Sequence, residues 1–242
     1  MAKINILGVK LDNLSKAEAL NKVKEYLVGA GQHQIVTPNP EIILAAGHDE
    51  ELFYILNQAD LAVADGVALK IAGWLKGKNL KRITGADLMV EILRLAEKEN
   101  KKVAIFNWNR GLSSAGGIKI SLQKKFPKLE VLVEDIERAV LADLAGAKQF
   151  SPDIIFCSLG APYQEKFIFH NLAKLPSVKI AVGVGGAFDF LTGQVRRAPK
   201  LMRRLGLEWL WRLIKQPRRW RRIVNAVIIF PIKFLVYYFK KY

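Results

Sequence analysis

The 242-residue sequence is poor in the residues on which metal and nucleophile chemistry depend. Its single cysteine, Cys157, lies in the apolar run Ile154-Ile155-Phe156-Cys157. That excludes an internal disulfide and reads as a packed thiol in a reducing compartment. The three histidines, His33, His48 and His170, are widely spaced with no Cys/His cluster, which argues against structural zinc. No DxD, HExxH, GxGxxG or Walker sequence occurs, and no Ser/His/Asp set is evident, so no dedicated metal–diphosphate site is expected. No basic segment followed by an apolar core precedes Gly8, so a signal peptide is not expected. Long apolar runs are also missing. Ile223 to Phe239 spans 17 residues and contains Asn225, Pro231 and Lys233, short of the roughly 20 apolar residues of a membrane span. It reads instead as an interfacial amphipathic segment.

Acidic residues are scarce at one end. Residues 196–242 hold 14 Lys/Arg against Glu208 alone, whereas residues 1–195 hold 24 Lys/Arg against 21 Asp/Glu. The net charge of +16 therefore describes a nearly neutral body, 1–195, with a strongly basic appendage, 196–242, suited to something anionic. Hydrophobic residues make up 51%, enough for a sizeable core.

Strands are expected over Ile4–Val9, Gln34–Thr37, Leu61–Ala64, Val103–Phe106, Leu129–Val133, Ile154–Leu159 and Val178–Val184. Helices are expected over Ser15–Val28 (with the Ser15/Glu18 capping-box spacing), Ile42–Gly47, Asp49–Asn57, Val67–Leu75, Thr84–Glu99, Leu112–Phe126, near 136–149 and 163–174, and over Leu201–Lys215. This alternation predicts an α/β fold with a Rossmann-like, mostly parallel sheet flanked by helices and a basic helical appendage.

Ligands of open α/β sheets sit beyond the carboxyl ends of the strands. Asp65 ends the buried run Leu61 to Ala64, either as a reactive carboxylate or as the N-cap of the next helix. Thr37-Pro38-Asn39-Pro40-Glu41 turns from strand to helix, either capping it or holding an anion or sugar hydroxyl. Gln164, behind Pro162, can donate and accept, as sugar or uracil recognition requires, or is a polar residue at a helix start. Gly183 to Asp189, with Gly185 and Gly186, is a tight turn or a place where ligand meets backbone. In the appendage, Arg212, Lys215, Arg219 and Arg222 share one helical face unless Pro217 breaks it, and Trp209, Trp211 and Trp220 lie nearby. Cations with Trp and Tyr suit an anionic membrane interface. The alternatives are a solvated basic face, or a nucleotide-binding scaffold whose tail binds nucleic acid, against which the apolar run Ile228 to Phe239 argues.

These segments, with Arg82-Ile83-Thr84-Gly85-Ala86-Asp87-Leu88 and Gly206-Leu207-Glu208-Trp209-Leu210, stand in the order of the WecG/TagA/CpsF glycosyltransferases, which the chain resembles over roughly Ile4 to Arg222. The resemblance implies a metal-independent, inverting transferase at the cytoplasmic membrane face. It would move a sugar from a UDP donor to a polyprenyl-diphosphate-linked sugar, as when N-acetylmannosamine is added to the undecaprenyl-diphosphate-N-acetylglucosamine unit of wall teichoic acid. By the same resemblance Asp65 is the general base, and Thr37, Asn39, Arg82, Gln164, Gly185, Gly186 and Asp189 line the substrate pocket. Arg212, Arg219 and Arg222 hold diphosphate. The implied partners are the UDP-sugar, the lipid-linked acceptor and an anionic membrane surface, with no nucleic acid and no cofactor; a homo-oligomer is admitted. Phe106-Asn107-Trp108-Asn109 departs from the glycine-rich turn of relatives, at a loop expected by the sugar pocket.

Overall fold

A computed structural model describes residues 3–139 and 142–241. The chain opens with an antiparallel hairpin of β1 (Lys3–Ile6) and β2 (Val9–Asp12), not the single strand expected. Leu7 and Gly8 both take positive φ, 51° and 88°, the backbone of a two-residue hairpin turn, and the Gly8 N–H donates to the Asn5 side chain at 2.9 Å. After α1 (Lys16–Val28), β3 (His33–Val36), α2 (Pro40–Ala46) and α3 (Glu50–Gln58) come β4 (Leu61–Ala62), α4 (Val67–Leu75) and α5 (Gly85–Lys98). The body continues through β5 (Val103–Trp108), α6 (Ala115–Lys125), β6 (Val131–Ile136), α7 (Ala145–Phe150), β7 (Ile154–Ser158), α8 (Tyr163–Asn171), β8 (Ile180–Gly183) and α9 (Phe188–Leu191). The helix expected near 136–149 is the short α7, because β6 runs on to Ile136; residues 140 and 141 lie outside those described.

The main sheet is wholly parallel, in the order β4-β3-β8-β7-β5-β6. Its strands read as apolar runs because helices cover both faces. Side chains alternate along β5: Val103 and Ile105 pack with α1, α5 and α6, and Ala104 and Phe106 with α7 and α8. Cys157 is buried in the second set, its thiol pushed up by desolvation, as a packed thiol should be. The predicted capping box forms at Ser15 and Glu18, and Thr84 caps α5 by accepting from the Asp87 N–H. The apolar face of α5, including Leu88, Ile92 and Leu93, is completely buried. Its effect is positional: α5 begins beside the end of β4.

Two expectations for the appendage fail for local reasons. The helix expected over Leu201–Lys215 is split into α10 (Lys200–Arg204) and α11 (Glu208–Lys215) at Gly206. Gly206 has φ +76° and packs so closely on Val67 that a Cβ would lie 2.7 Å from that side chain, so only glycine fits. Beyond the turn Pro217–Arg219, α12 (Trp220–Val224) passes through a π-helical stretch, Asn225–Ile229, into α13 (Phe230–Lys241) without a break. Pro231 follows the π-helical stretch, whose wider turn accommodates it without ending the helix. The resulting helix, Trp220–Lys240, has 21 residues, with a mean hydropathy of 1.6 over its most apolar 18, so by length and composition it could cross a membrane and it is longer than the 17-residue run read from sequence. Phe230 and Phe234, one helical turn apart, are nevertheless buried with Ile42, Leu69 and Ala72 of α2 and α4, so one stripe of this helix belongs to the body's core.

Candidate active site

The carboxyl ends of β3, β4, β5, β7 and β8 open on a cavity of about 310 Å³ roofed by α11 and the residues after it. Thr37, Asn39, Asp65, Gln164, Gly185, Gly186, Asp189, Arg212, Arg219 and Arg222 all line it. Arg82 does not. Its guanidinium donates to the Arg203 carbonyl at 2.8 Å, tying α10 to the body, and it borders a second, adjoining cavity.

Asp65 does not cap α4, whose N-cap is Gly66 with no side-chain bond. Its Oδ2 instead accepts from the Gly85 N–H, the first residue of α5, at 3.0 Å. Loss of water around it raises its pKa above the ordinary 3.8, a shift opposed by the Gly85 N–H, Arg212 and Arg82 and reinforced by Glu208. The result is a carboxylate more basic than usual, aimed at a chamber.

Asn39 does cap α2, accepting from the Ile42 N–H at 2.9 Å, and it also lines the cavity. Gln164 is 3% exposed, and its Oε1 accepts from the N–H groups of Gly160 (3.2 Å) and Gly185 (2.8 Å), clamping two strand-end loops together. Its Nε2 donates to Glu165 at 2.8 Å. A Cβ at Gly183 would sit 2.7 Å from that Nε2, so the glycine makes room for the clamp. Asp189 accepts from Ser113 Oγ at 2.7 Å, and Gly186 leaves space for its other oxygen.

Glu165 is buried, one carboxyl oxygen has no hydrogen-bond partner, and desolvation pushes its pKa up to about 7 from 4.5. A carboxyl raised in this way favours the folded state while protonated and loses that contribution as pH rises through 7. Glu165→Gln, neutral throughout, is expected to flatten the fall in Tm between about pH 5 and about pH 8; paired thermal melts check it.

The roof is cationic. Arg222 grips Glu41 with two nitrogens, at 2.7 and 3.1 Å. Arg212 lies 3.8 Å from Glu208 and over the Phe190 ring. The Arg219 side chain has no hydrogen bond or ion pair among the described residues. It sits beside Arg212 and Arg222, desolvated enough to pull its pKa down. Lys215 turns away over Trp211, so the four-residue stripe is not one face: Pro217 breaks it and the fold regroups the three arginines.

Arg110, Arg138 and Ser158, which had not been singled out, also line the cavity, as do Trp108 and Glu208 from segments that had. Arg138 stacks 3.5 Å from the Trp108 ring centre and 5.3 Å from that of Tyr163, and donates to the Leu159 carbonyl. The atypical Phe106–Asn109 segment marked Trp108: β5 extends through it, and Asn107 is pinned to Ser113 and Asp135. Nothing in sequence marked Arg138.

The chain matches the Glycosyl transferase WecG/TagA/CpsF family over residues 4–242. It belongs to that family. This WecG/TagA/CpsF member is 34% identical over 198 residues to the N-acetylglucosaminyldiphosphoundecaprenol N-acetyl-beta-D-mannosaminyltransferase of Bacillus subtilis (strain 168), covering 79% of this chain and 75% of the relative. It is 31% identical over 241 residues to the enzyme of the same description from Staphylococcus aureus (strain MRSA252), covering 96% and 92%. The Bacillus spizizenii W23 counterpart is 35% identical over 198 residues, 79% and 74% of the two chains. This WecG/TagA/CpsF chain is thus a glycosyltransferase, and its cavity is the place to seek the reaction.

Proposed function

We propose that the chain transfers a sugar, N-acetylmannosamine by analogy with its relatives, from a UDP donor to a polyprenyl-diphosphate-linked N-acetylglucosamine. The reaction is a single inverting displacement without metal. Asp65 accepts the proton of the acceptor hydroxyl, that oxygen bonds to the anomeric carbon, and the bond to the UDP oxygen breaks with its electron pair leaving on UDP. The observation that carries this reading is the pairing, in one chamber, of a desolvated carboxylate with an arginine whose side chain has no hydrogen bond or ion pair among the described residues and which is flanked by two more. The base and the stabilisers of a departing diphosphate are then in place together. Among the described residues no group of three or more His, Cys, Asp or Glu side chains is placed to hold a metal, so charge neutralisation is assigned to the guanidiniums. UDP release from a panel of UDP-sugars with a short-chain prenyl-diphosphate acceptor, in EDTA, tests the proposal. Transfer that needs an added divalent ion, or that proceeds with retention, overturns the mechanism.

We place the reaction at the cytoplasmic face of the membrane, with the appendage, 196–242, as the attachment. Outward from the Phe230/Phe234 stripe, Ile228, Ile232, Val236 and Phe239 are exposed, and α4, packed against α13, exposes Ile71 and Trp74. Lys70, Lys233 and Lys240 lie on the same two helices, and Lys76 directly follows α4. Apolar residues rimmed by lysines fit a lipid surface better than a nucleic acid, each surface-lying cation contributing about 1 kcal/mol toward anionic lipid. Trp74→Glu with Phe239→Glu is expected to weaken co-sedimentation with anionic vesicles by about tenfold or more, given the apolar area withdrawn from lipid. UDP binding is expected to persist. Unchanged sedimentation refutes the assigned surface.

A further inference from the structure

Asp65 faces two chambers. The second, about 170 Å³, shares Asn39, Asp65, Glu208, Arg212, Arg219 and Arg222 with the first, but no loop from β5, β7 or β8 reaches it. Its remaining wall is largely apolar, with Pro40, Val67 and Ala68 on the body side and Ile223, Ala226 and Val227 on the terminal helix. Both sides run on into exposed apolar surface: α4 continues from Val67 and Ala68 to Ile71 and Trp74, and the terminal helix from Val227 to Ile228 and Ile232.

From this division of polarity we infer that the second chamber is the entry of the lipid-linked acceptor. It takes the diphosphate against the shared arginines and the first isoprenoid units against Val67, Ala68, Ile223 and Ala226. The assignment rests on the glycosyl-transfer reading above and adds to it a separate place for each substrate. The polar chamber, walled by strand-end loops, receives the nucleotide sugar, and the two meet at the base. The size of the second chamber agrees with this division. At about 170 Å³ it is smaller than the roughly 300–1,000 Å³ of pockets that enclose a whole ligand, so it holds only the head of a lipid whose chain leaves along exposed apolar helix faces. An arginine partition accessible from both sides also explains why three guanidiniums gather where one diphosphate leaves and another must stay bound.

The test fills the chamber from either wall in the full-length protein, with Ala226→Phe on the terminal helix and Ala68→Phe on α4. Farnesyl diphosphate, added to protein saturated with UDP, is the binding probe, and UDP affinity reports that the fold and the first chamber are intact. Both variants are expected to weaken farnesyl diphosphate binding by about tenfold or more, as lost isoprenoid contact predicts, with UDP affinity within about twofold of the unaltered chain. Farnesyl diphosphate binding that survives both substitutions, or UDP affinity that falls in step with it, overturns the assignment. Transfer assays on the unaltered chain separate this from the wider reading. If no UDP-sugar is turned over with any acceptor, the reaction is wrong, and the binding pattern still decides what the chamber holds.

Discussion

Asp65→Asn is expected to lower kcat by about 10²–10⁴, the usual worth of a positioned general base, while leaving the protein as stable as before or more so. Both halves follow from the same surroundings. The carboxylate has lost water and its pKa is raised, so the ionised form weighs against the folded state at neutral pH. Asparagine keeps an oxygen for the Gly85 N–H, now met at 3.0 Å, and carries no charge to desolvate. In the unaltered enzyme, kcat/KM is expected to fall as pH drops through the raised pKa, because protonation removes the base, so the acid limb lies above 3.8. The residual rate of Asp65→Asn loses that limb. Steady-state rates across pH, with a thermal melt of each protein, check all three. Full activity in Asp65→Asn refutes the role, and a lower Tm refutes the stability argument.

The second large effect is expected at Arg219. Arg219→Ala should cost about 10²–10³ in kcat, the scale on which removal of one preorganised donor to developing charge is felt. The residue is chosen over its neighbours because Arg222 is already engaged with Glu41 and Arg212 lies near Glu208, whereas Arg219 has no such partner among the described residues. Its guanidinium, committed to no hydrogen bond or ion pair among the described residues, is available to a leaving diphosphate. Arg219→Lys retains the charge but not the planar fork, so partial recovery is expected. A rise in KM alone, with kcat unchanged, shows that the arginine holds ground state and transition state equally and refutes a transition-state role.

Much of the architecture was legible because local signals agreed with the tertiary ones. Thr84 caps, Leu88, Ile92 and Leu95 recur at helical spacing, and the buried strands read as unbroken apolar runs. The N-terminal hairpin was not legible: Ile4 to Val9 reads as a single strand, and the turn uses Leu7, which seldom takes positive φ. The continuity of the terminal helix was not legible, because the apolar run carries Asn225, Pro231 and Lys233 and a π-helical turn that accommodates Pro231 leaves no mark in composition. The gathering of Thr37, Asp65, Gln164 and Asp189 could be foreseen because parallel strands deliver their carboxyl ends to one edge. Arg138 could not be foreseen, since its stacking partners Trp108 and Tyr163 come from different strand-end loops that become neighbours only in the folded sheet.

The Gln164 clamp has a consequence for how charge is sensed. Glycine-rich loops at strand ends commonly turn their amide hydrogens toward phosphate, but here the N–H groups of Gly160 and Gly185 are already spent on one side-chain oxygen. On the reading proposed above, the sheet edge meets the nucleoside and the sugar, with Arg110 and Arg138 its own cations, while most of the positive charge arrives on a segment well over a hundred residues downstream of Asp65. On that reading, telling uridine from its diphosphate falls to the appendage: shape is read by the body, and electrical charge by the segment that also carries the exposed apolar helix.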